Sequence, residues 1–320
     1  MEREAYQVAQ SNLTMKPKRL TLKTILRKYG IVYLMFVPVV LYYILFHYKP
    51  LVGVVIAFKN YNFAGGIWGS PWAGLRHFER FLGNGEFWRV FNNTIILAAL
   101  RIAVTFPAPI ILALMFNEVR SQKYKKVLQT ISYLPHFVSF VIVYAVFYSF
   151  FSMDGLINTL RVNMGMEKIL FLGDVKYYRG IFVGMALWKE IGWGAIIYLA
   201  SLSRVSHEQY EAADIDGANK MQKIWHVTLP AIRSIISIQF VRTMGNLLSV
   251  SLDQTMVMNN VMVAQVADVL SYYVYKIGIL GRNQFSYATA MGLFNSVLSL
   301  VLVIITNWAA KKLDEEGGLW

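Results

Sequence analysis

Six stretches of the chain are apolar almost without interruption, at about 29–49, 93–116, 127–151, 178–201, 233–252 and 286–310. A helix rises 1.5 Å per residue, so about 20 residues cover roughly 30 Å of hydrocarbon. Apolarity on all sides over that length predicts membrane-spanning helices rather than half-buried ones. A shorter run, "LVGVVIAF" at 51–58, cannot cross; it either extends the first helix or lies at the interface. Tyr42, Tyr43, Tyr48 and Trp308 stand at span ends, where amphipathic rings anchor in the headgroup layer. The predicted fold class is an all-α membrane protein of six spans.

Two spans break the apolar pattern in an informative way. The fifth, "SIISIQFVRTMGNLLSVSL", is the least hydrophobic, and Gln239, Arg242, Asn246 and Ser249 recur in it at steps of three and four. That spacing places them on one helical face. A central Arg, Lys or Asp costs about 2.5–3.5 kcal/mol to insert, so such a stripe turns to protein or water and marks the candidate translocation path. The fourth carries "LWKEIGWGAIIY": Trp188 and Trp193 offer flat apolar faces suited to ring stacking, and Gly192 and Gly194 permit close helix packing. Lys189 and Glu190 are sequence neighbours and point in different directions, so each is expected to meet a group on another helix. Two readings stand for these charges: an interhelical pair network joining Glu190 to Arg101 or Arg242, and direct substrate contact. The tryptophans are open in the same way between packing, interface anchoring and stacking on a substrate ring. An unpaired Arg242 or Lys189 in the path would favour an acidic solute. Pro107 and Pro109 predict a kink or break in the second span.

Composition agrees with the pattern. Of 320 residues, 56% are hydrophobic and 15% charged, against about 25% charged in soluble domains. The net charge of +13 sits at the edges of the apolar runs, so it reports topology rather than a nucleic-acid partner. The N-terminal tail, "RSQKYKK" (120–126), the loop 202–232 and "KKLDEEGG" fall on one side of six spans. By the positive-inside bias that side is cytoplasmic, with both termini inside. The expected organisation is a basic tail over 1–28, an uncleaved first helix opening a transmembrane domain over 29–310, and a tail over 311–320. With no cysteine, disulfides and thiolate metal sites are excluded.

The loop 202–232 contains "EAADIDGANKMQKIWHVTLP". It predicts a short helix, a turn at Gly217 and a second short helix, with Pro230 in the first turn of a new helix. Ile215, Met221, Ile224 and Trp225 would supply apolar contacts, making a docking knob. The segment resembles the EAA loop of ATP-binding-cassette (ABC) importer permeases: Glu211, Ala212 and Ala213, then Gly217, then Leu229 and Pro230 are in register, with Val227 where Ile is usual. "FPAPIILALMFNEVR", "QTISYLPHF", "LWKEIGWGAIIYLASL" and "TNWAAKKLDEEG" extend the resemblance, from about residue 20 onward, to carbohydrate-importer permeases of the larger, first-subunit type.

The resemblance implies a coupling helix that includes Glu211, Ala212, Ala213, Asp216, Gly217, Leu229 and Pro230, seated in a cytoplasmic ATPase. It implies a second homologous permease, two ATPase subunits carrying ATP and Mg, an extracytoplasmic solute-binding protein delivering sugar, and a place in the bacterial cytoplasmic membrane among its lipids. It also implies an oligosaccharide cargo, with alginate or pectin fragments as the acidic case. No cofactor is expected on this chain, which has no Gly-x-x-x-x-Gly-Lys-Ser/Thr loop. The five histidines are scattered without metal-ligand spacing, and Asp154, Glu167 and Asp174 make no glycosidase pair. A stand-alone ion-coupled transporter is the alternative; it needs inverted repeats and a carboxylate relay, and Glu190 is the sole deep carboxylate.

Overall fold

The computed structural model describes residues 22–281, 284–313 and 318–319; most of the expected N-terminal tail and most of 314–320 lie outside the described residues. The chain divides into two units, 1–55 and 56–320. The first holds α1 (Leu22–Tyr43), a π-helical turn at Ile44–Tyr48 and a short turn at Lys49–Leu51. "LVGVVIAF" then continues the helical run as a 3-10 segment, Val52–Phe58, so the first of its two expected readings holds. The widened turn has a local cause. Pro50 lacks an N–H, and its ring crowds the carbonyl four residues back. A π turn directly upstream makes room for it. The same device recurs at Ile224–Thr228, upstream of Pro230.

In the second unit, α2 (Arg76–Leu82) leads to α3 (Gly85–Thr105), whose cap Asn84 accepts the N–H of Glu86 at 2.9 Å. The second span breaks at Phe106, and α4 (Pro107–Asn117) restarts with Pro107 in its first turn, where a missing N–H is harmless. The expected third span, 127–151, is not one helix. It splits into α5 (Gln122–Tyr133), a 3-10 turn at Leu134–Phe137 and α6 (Phe140–Phe151), followed by α7 (Leu156–Asn163). Pro135 removes a helical hydrogen bond, and Ser139 caps a fresh helix by accepting from Ile142. The apolar stretch long enough to cross is accordingly Phe140–Asn163.

The central element is α8 (Val175–Leu202), which packs on α3, α4 and α5 and buries Tyr178, Phe182, Met185, Gly192 and Ala195. After it come α9 (His207–Ile215), α10 (Lys220–Lys223), α11 (Arg233–Gly245), α12 (Leu252–Met258), α13 (Leu270–Gly278) and α14 (Phe285–Leu313). One expectation needs correction here. The fifth span ends as a helix at Gly245 rather than 252: Asn246, at φ −100° and ψ 7°, leaves the helical conformation and the chain goes on in turns. Pro230 stands in the first turn of a new helical segment as expected, but that segment is only Leu229–Ala231, and α11 starts after a 66° bend.

Five helical runs (28–58, 85–117, 140–163, 175–202 and 285–312) are long and apolar enough to cross a membrane, and the bent pair makes a sixth. Among the described residues there is no β-strand, only an isolated bridge between Lys59 and Trp72. Polar side chains stitch the segment after α11 onto the bundle. Gln254 donates to the Phe182 carbonyl at 2.6 Å, and buried Asp268 accepts from Asn259, Lys276 and Arg89.

Candidate functional site

A cavity of about 510 Å³ opens between α3, α4, α8 and α11. Of the residues expected along a translocation path, Glu190, Trp193, Gln239, Arg242, Asn246 and Ser249 all line it. The helical stripe fails geometrically beyond Gly245, yet the turn that follows folds over the same space: Asn246 Nδ2 donates to the Arg242 carbonyl at 3.2 Å, and Ser249 remains on the wall. Trp188 is excluded from the cavity; its ring lies 6.2 Å from that of Phe147. Five residues along a helix separate Trp188 from Trp193 by about 140°, so only one of them can face the space.

Charge in this cavity is organised by three contacts. Arg101 on α3 grips both oxygens of Glu190 on α8, at 2.7 and 2.8 Å, which settles the choice of partner left open above. Lys189 turns to the broken third span. Its ammonium donates to the carbonyls of Pro135, His136 (2.6 Å) and Val138, and lies 5.3 Å from the Phe140 ring centre. It thereby serves backbone acceptors at the helix break, that of Pro135 alongside the Val138 N–H. Arg242 is exposed, and among the described residues no carboxylate pairs with it. With Arg101 offset by Glu190, Arg242 is the uncompensated charge on the wall.

His136 was invisible to sequence reasoning. Nothing in its local pattern separates it from the other four histidines, and only the break at Pro135 brings it into the cavity. There its ring stacks on Trp193, with centroids 4.4 Å apart and planes 2° from parallel.

The Arg101–Glu190 pair yields a prediction. Its side chains retain 21% and 35% exposure, so breaking it should cost less than the 3–5 kcal/mol of a fully buried pair, roughly 1–3 kcal/mol. In a double-mutant cycle followed by thermal unfolding of the purified transporter, Arg101→Met and Glu190→Met should each destabilise more than the double substitution does. Additive losses would show that the contact is energetically idle.

The second candidate site is the hairpin at 206–231. Ser206 caps α9 by accepting from Glu208 at 3.2 Å. Gly217, at φ +73°, reverses the chain, and Asn219 and Gln222 form a reciprocal capping box at 2.7 and 3.0 Å. The arms are tied by Tyr210 to Thr228 at 3.0 Å and by the Lys223–Asp214 pair. Between them lies a hollow of about 670 Å³, lined by Ala212, Ala213, Asp216, Gly217 and Pro230; Glu211 and Leu229 are not on its wall. Ile215, Met221 and Trp225 are 87%, 61% and 62% exposed, so these apolar side chains are not used inside the hairpin. Lys220 reaches Glu118, just past α4, at 3.5 Å.

Two of the other carboxylates have structural partners: Lys168 bonds Asp154 at 2.7 Å, and Asp174 caps α8. Among the described residues no group of three or more His, Cys, Asp or Glu could hold a metal ion.

Comparison with known proteins gives this architecture a family. Residues 105–315 match the model of the binding-protein-dependent transport system inner membrane component. The chain is 45% identical over 286 residues to protein LplB of Bacillus subtilis (strain 168), covering 89% of this chain and 90% of that one. It is 43% identical over 303 residues to the polygalacturonan/rhamnogalacturonan transport system permease protein YteP of the same organism, covering 94% of each. Among solved structures, a bacterial ABC transporter involved in the import of the acidic polysaccharide alginate contains a chain that superposes with a TM-score of 0.84 at 35% identity, over 92% of this chain and 99% of that one. A chain of a bacterial alginate ABC transporter, in complex with an alginate pentasaccharide-bound periplasmic protein, gives 0.83 at 34%, over 91% and 98%. These matches exclude the stand-alone ion-coupled alternative. The chain belongs to the inner membrane components of binding-protein-dependent transport systems: it is a multi-pass permease subunit of an ABC importer, a transport subunit and not an enzyme.

Proposed function

We propose that this permease carries an acidic oligosaccharide across the bacterial cytoplasmic membrane, through the cavity between α3, α8 and α11. The observation that carries this reading is Arg242, the uncompensated cation on a wall that also bears Gln239, Asn246 and Ser249. A carboxylate brought against this exposed guanidinium gains a charge-assisted hydrogen bond that a neutral group of the same size does not. Trp193, 47% exposed, adds an apolar face for the sugar ring. The substrates named for the relatives, polygalacturonan or rhamnogalacturonan and alginate, are acidic in the same sense.

The hairpin at 206–231 is the coupling element. It projects into the cytoplasm with both termini on that side, in keeping with the Lys/Arg bias. An ATPase subunit grips Glu211, Ala212, Ala213 and Asp216, aided by the exposed Ile215, Met221 and Trp225. Gly217 sets the angle between the arms, and Leu229 and Pro230 pass movement through the 66° bend into α11, which carries Arg242. ATP and Mg belong to two such ATPase subunits. A second homologous permease completes the path, and an extracytoplasmic solute-binding protein delivers the sugar. The 29–310 region is the permease domain, flanked by the short tails.

The test is uptake by the assembled transporter in proteoliposomes. Arg242→Gln should lower kcat/KM for a uronate oligomer about 10- to 100-fold, the range for a charge-assisted hydrogen bond of 1.5–3 kcal/mol. A carboxyl-reduced version of the same oligomer should be affected little. Equal losses for both would mean that Arg242 is structural and the acidic reading is wrong.

A further inference from the structure

We infer that His136 is a substrate-binding residue, a fixed hydrogen-bond donor that presents its Nε2–H to a hydroxyl or ring oxygen of the sugar in the cavity. The inference rests on the cavity being the sugar path.

It begins with the two edges of the imidazole. Nδ1 is sealed from solvent and, among the described residues, has no hydrogen-bond partner. Nε2 is not sealed and, among the described residues, makes no hydrogen bond, and His136 lines the cavity. A neutral imidazole carries its proton on one nitrogen only. An orphaned buried N–H is rarer in proteins than an under-used acceptor, so the proton sits on Nε2 and the buried Nδ1 keeps the lone pair. The ring also stays neutral. Lys189 already places an ammonium 2.6 Å from the carbonyl of His136 itself, and the one nearby carboxylate, Glu190, is bound to Arg101. A second positive charge there is disfavoured.

The donor is held in place beforehand. Lys189 ties down the carbonyls of residues 135, 136 and 138, so the backbone beneath the ring is fixed. Trp193 covers one face of the ring in parallel stacking, and Phe137 meets the indole edge-on at 5.7 Å. Little freedom is left to lose on binding, which is how a single neutral hydrogen bond becomes useful. The chemistry it selects differs from that of Arg242. A ring-hydroxyl oxygen is present on every sugar, whereas a carboxylate is present only on uronates.

The experiment measures uptake of trigalacturonate and trimannuronate by the assembled transporter, with His136→Phe and His136→Gln compared with the unmodified protein and Arg242→Gln. Phe keeps a flat ring on Trp193 and lacks the donor; Gln restores an N–H. The expected result is a three- to tenfold rise in KM for His136→Phe, with kcat nearly unchanged and most of the loss recovered in His136→Gln. The thermal midpoint should stay within about 2 °C for both. Unchanged KM in His136→Phe overturns the inference, and so does a Gln variant as impaired as Phe with a lowered midpoint, which would assign His136 to packing. If Arg242→Gln acts and His136→Phe does not, the path stands and this inference alone falls. If the unmodified transporter takes up neither uronate, the acidic reading falls, and the same two His136 variants on a neutral oligosaccharide that it does import decide this inference, which needs only a sugar hydroxyl.

Discussion

Gly192→Ala should leave little stable transporter in the membrane. A Cβ on residue 192 would lie 2.0 Å from the carbonyl oxygen of Ser132 and 2.4 Å from its carbonyl carbon. Both atoms are helix backbone in α5 and cannot rotate away as a side chain would. Relief requires α5 and α8 to separate by more than about 1 Å, against the close packing normal for protein interiors. That movement would pull Lys189 from the carbonyls of residues 135–138 and part Trp193 from His136. Overpacking costs about 1–3 kcal/mol, occasionally more, and backbone contact puts this case at the upper end. The helix propensity gained from Ala recovers at most about 1 kcal/mol. Gly194→Ala should be milder, since its new methyl meets only the Pro109 ring, at 2.9 Å. Thermal unfolding of the purified transporter ranks the two: a Gly192→Ala protein that melts like the original would mean that the α5–α8 contact is looser than described.

Gly217→Val should cut import at least tenfold while leaving the transporter assembled and its ATPases able to hydrolyse ATP. The reasoning is conformational rather than steric. Nothing lies within 4 Å of a Cβ at 217, but its φ of +73° is left-handed. An L-residue gives up about 1–2 kcal/mol there, and a β-branched one more. Valine would escape by opening the turn, which changes the angle between the arms carrying Ala212, Ala213 and Pro230. Asn tolerates this conformation, so Gly217→Asn should keep import within about threefold. Uptake and ATP hydrolysis measured side by side decide the matter. Normal import by the Val variant would mean that the hairpin is not where ATPase motion enters.

Much of the architecture was written in local pattern. Insertion into hydrocarbon sums over residues along one segment, so uninterrupted apolarity identified the spans. Caps and breaks act within a turn or two, and Asn84, Ser139, Pro107 and Gly217 do what their chemistry predicts. Pro135 was present in the sequence as well. Its effect was missed because the apolar run 127–151 looked continuous, and proline within membrane helices is common enough not to force a break. The end of α11 at Gly245 was obscured in a similar way, since the polar stripe continued in register beyond it.

Sequence alone determined that the chain is a helical membrane protein, that a Gly-hinged hairpin follows its fourth span, and that polar side chains concentrate in the fifth. These properties depend on residues a few positions apart. Tertiary structure decided that Glu190 pairs with Arg101 across 89 residues, that Lys189 serves the break in the third span, that Trp193 rather than Trp188 reaches the cavity, and that His136 is there at all. Those outcomes depend on how each helix is rotated and how closely it approaches its neighbour. Contacts such as Gly192 on Ser132 set both, and no local pattern encodes them.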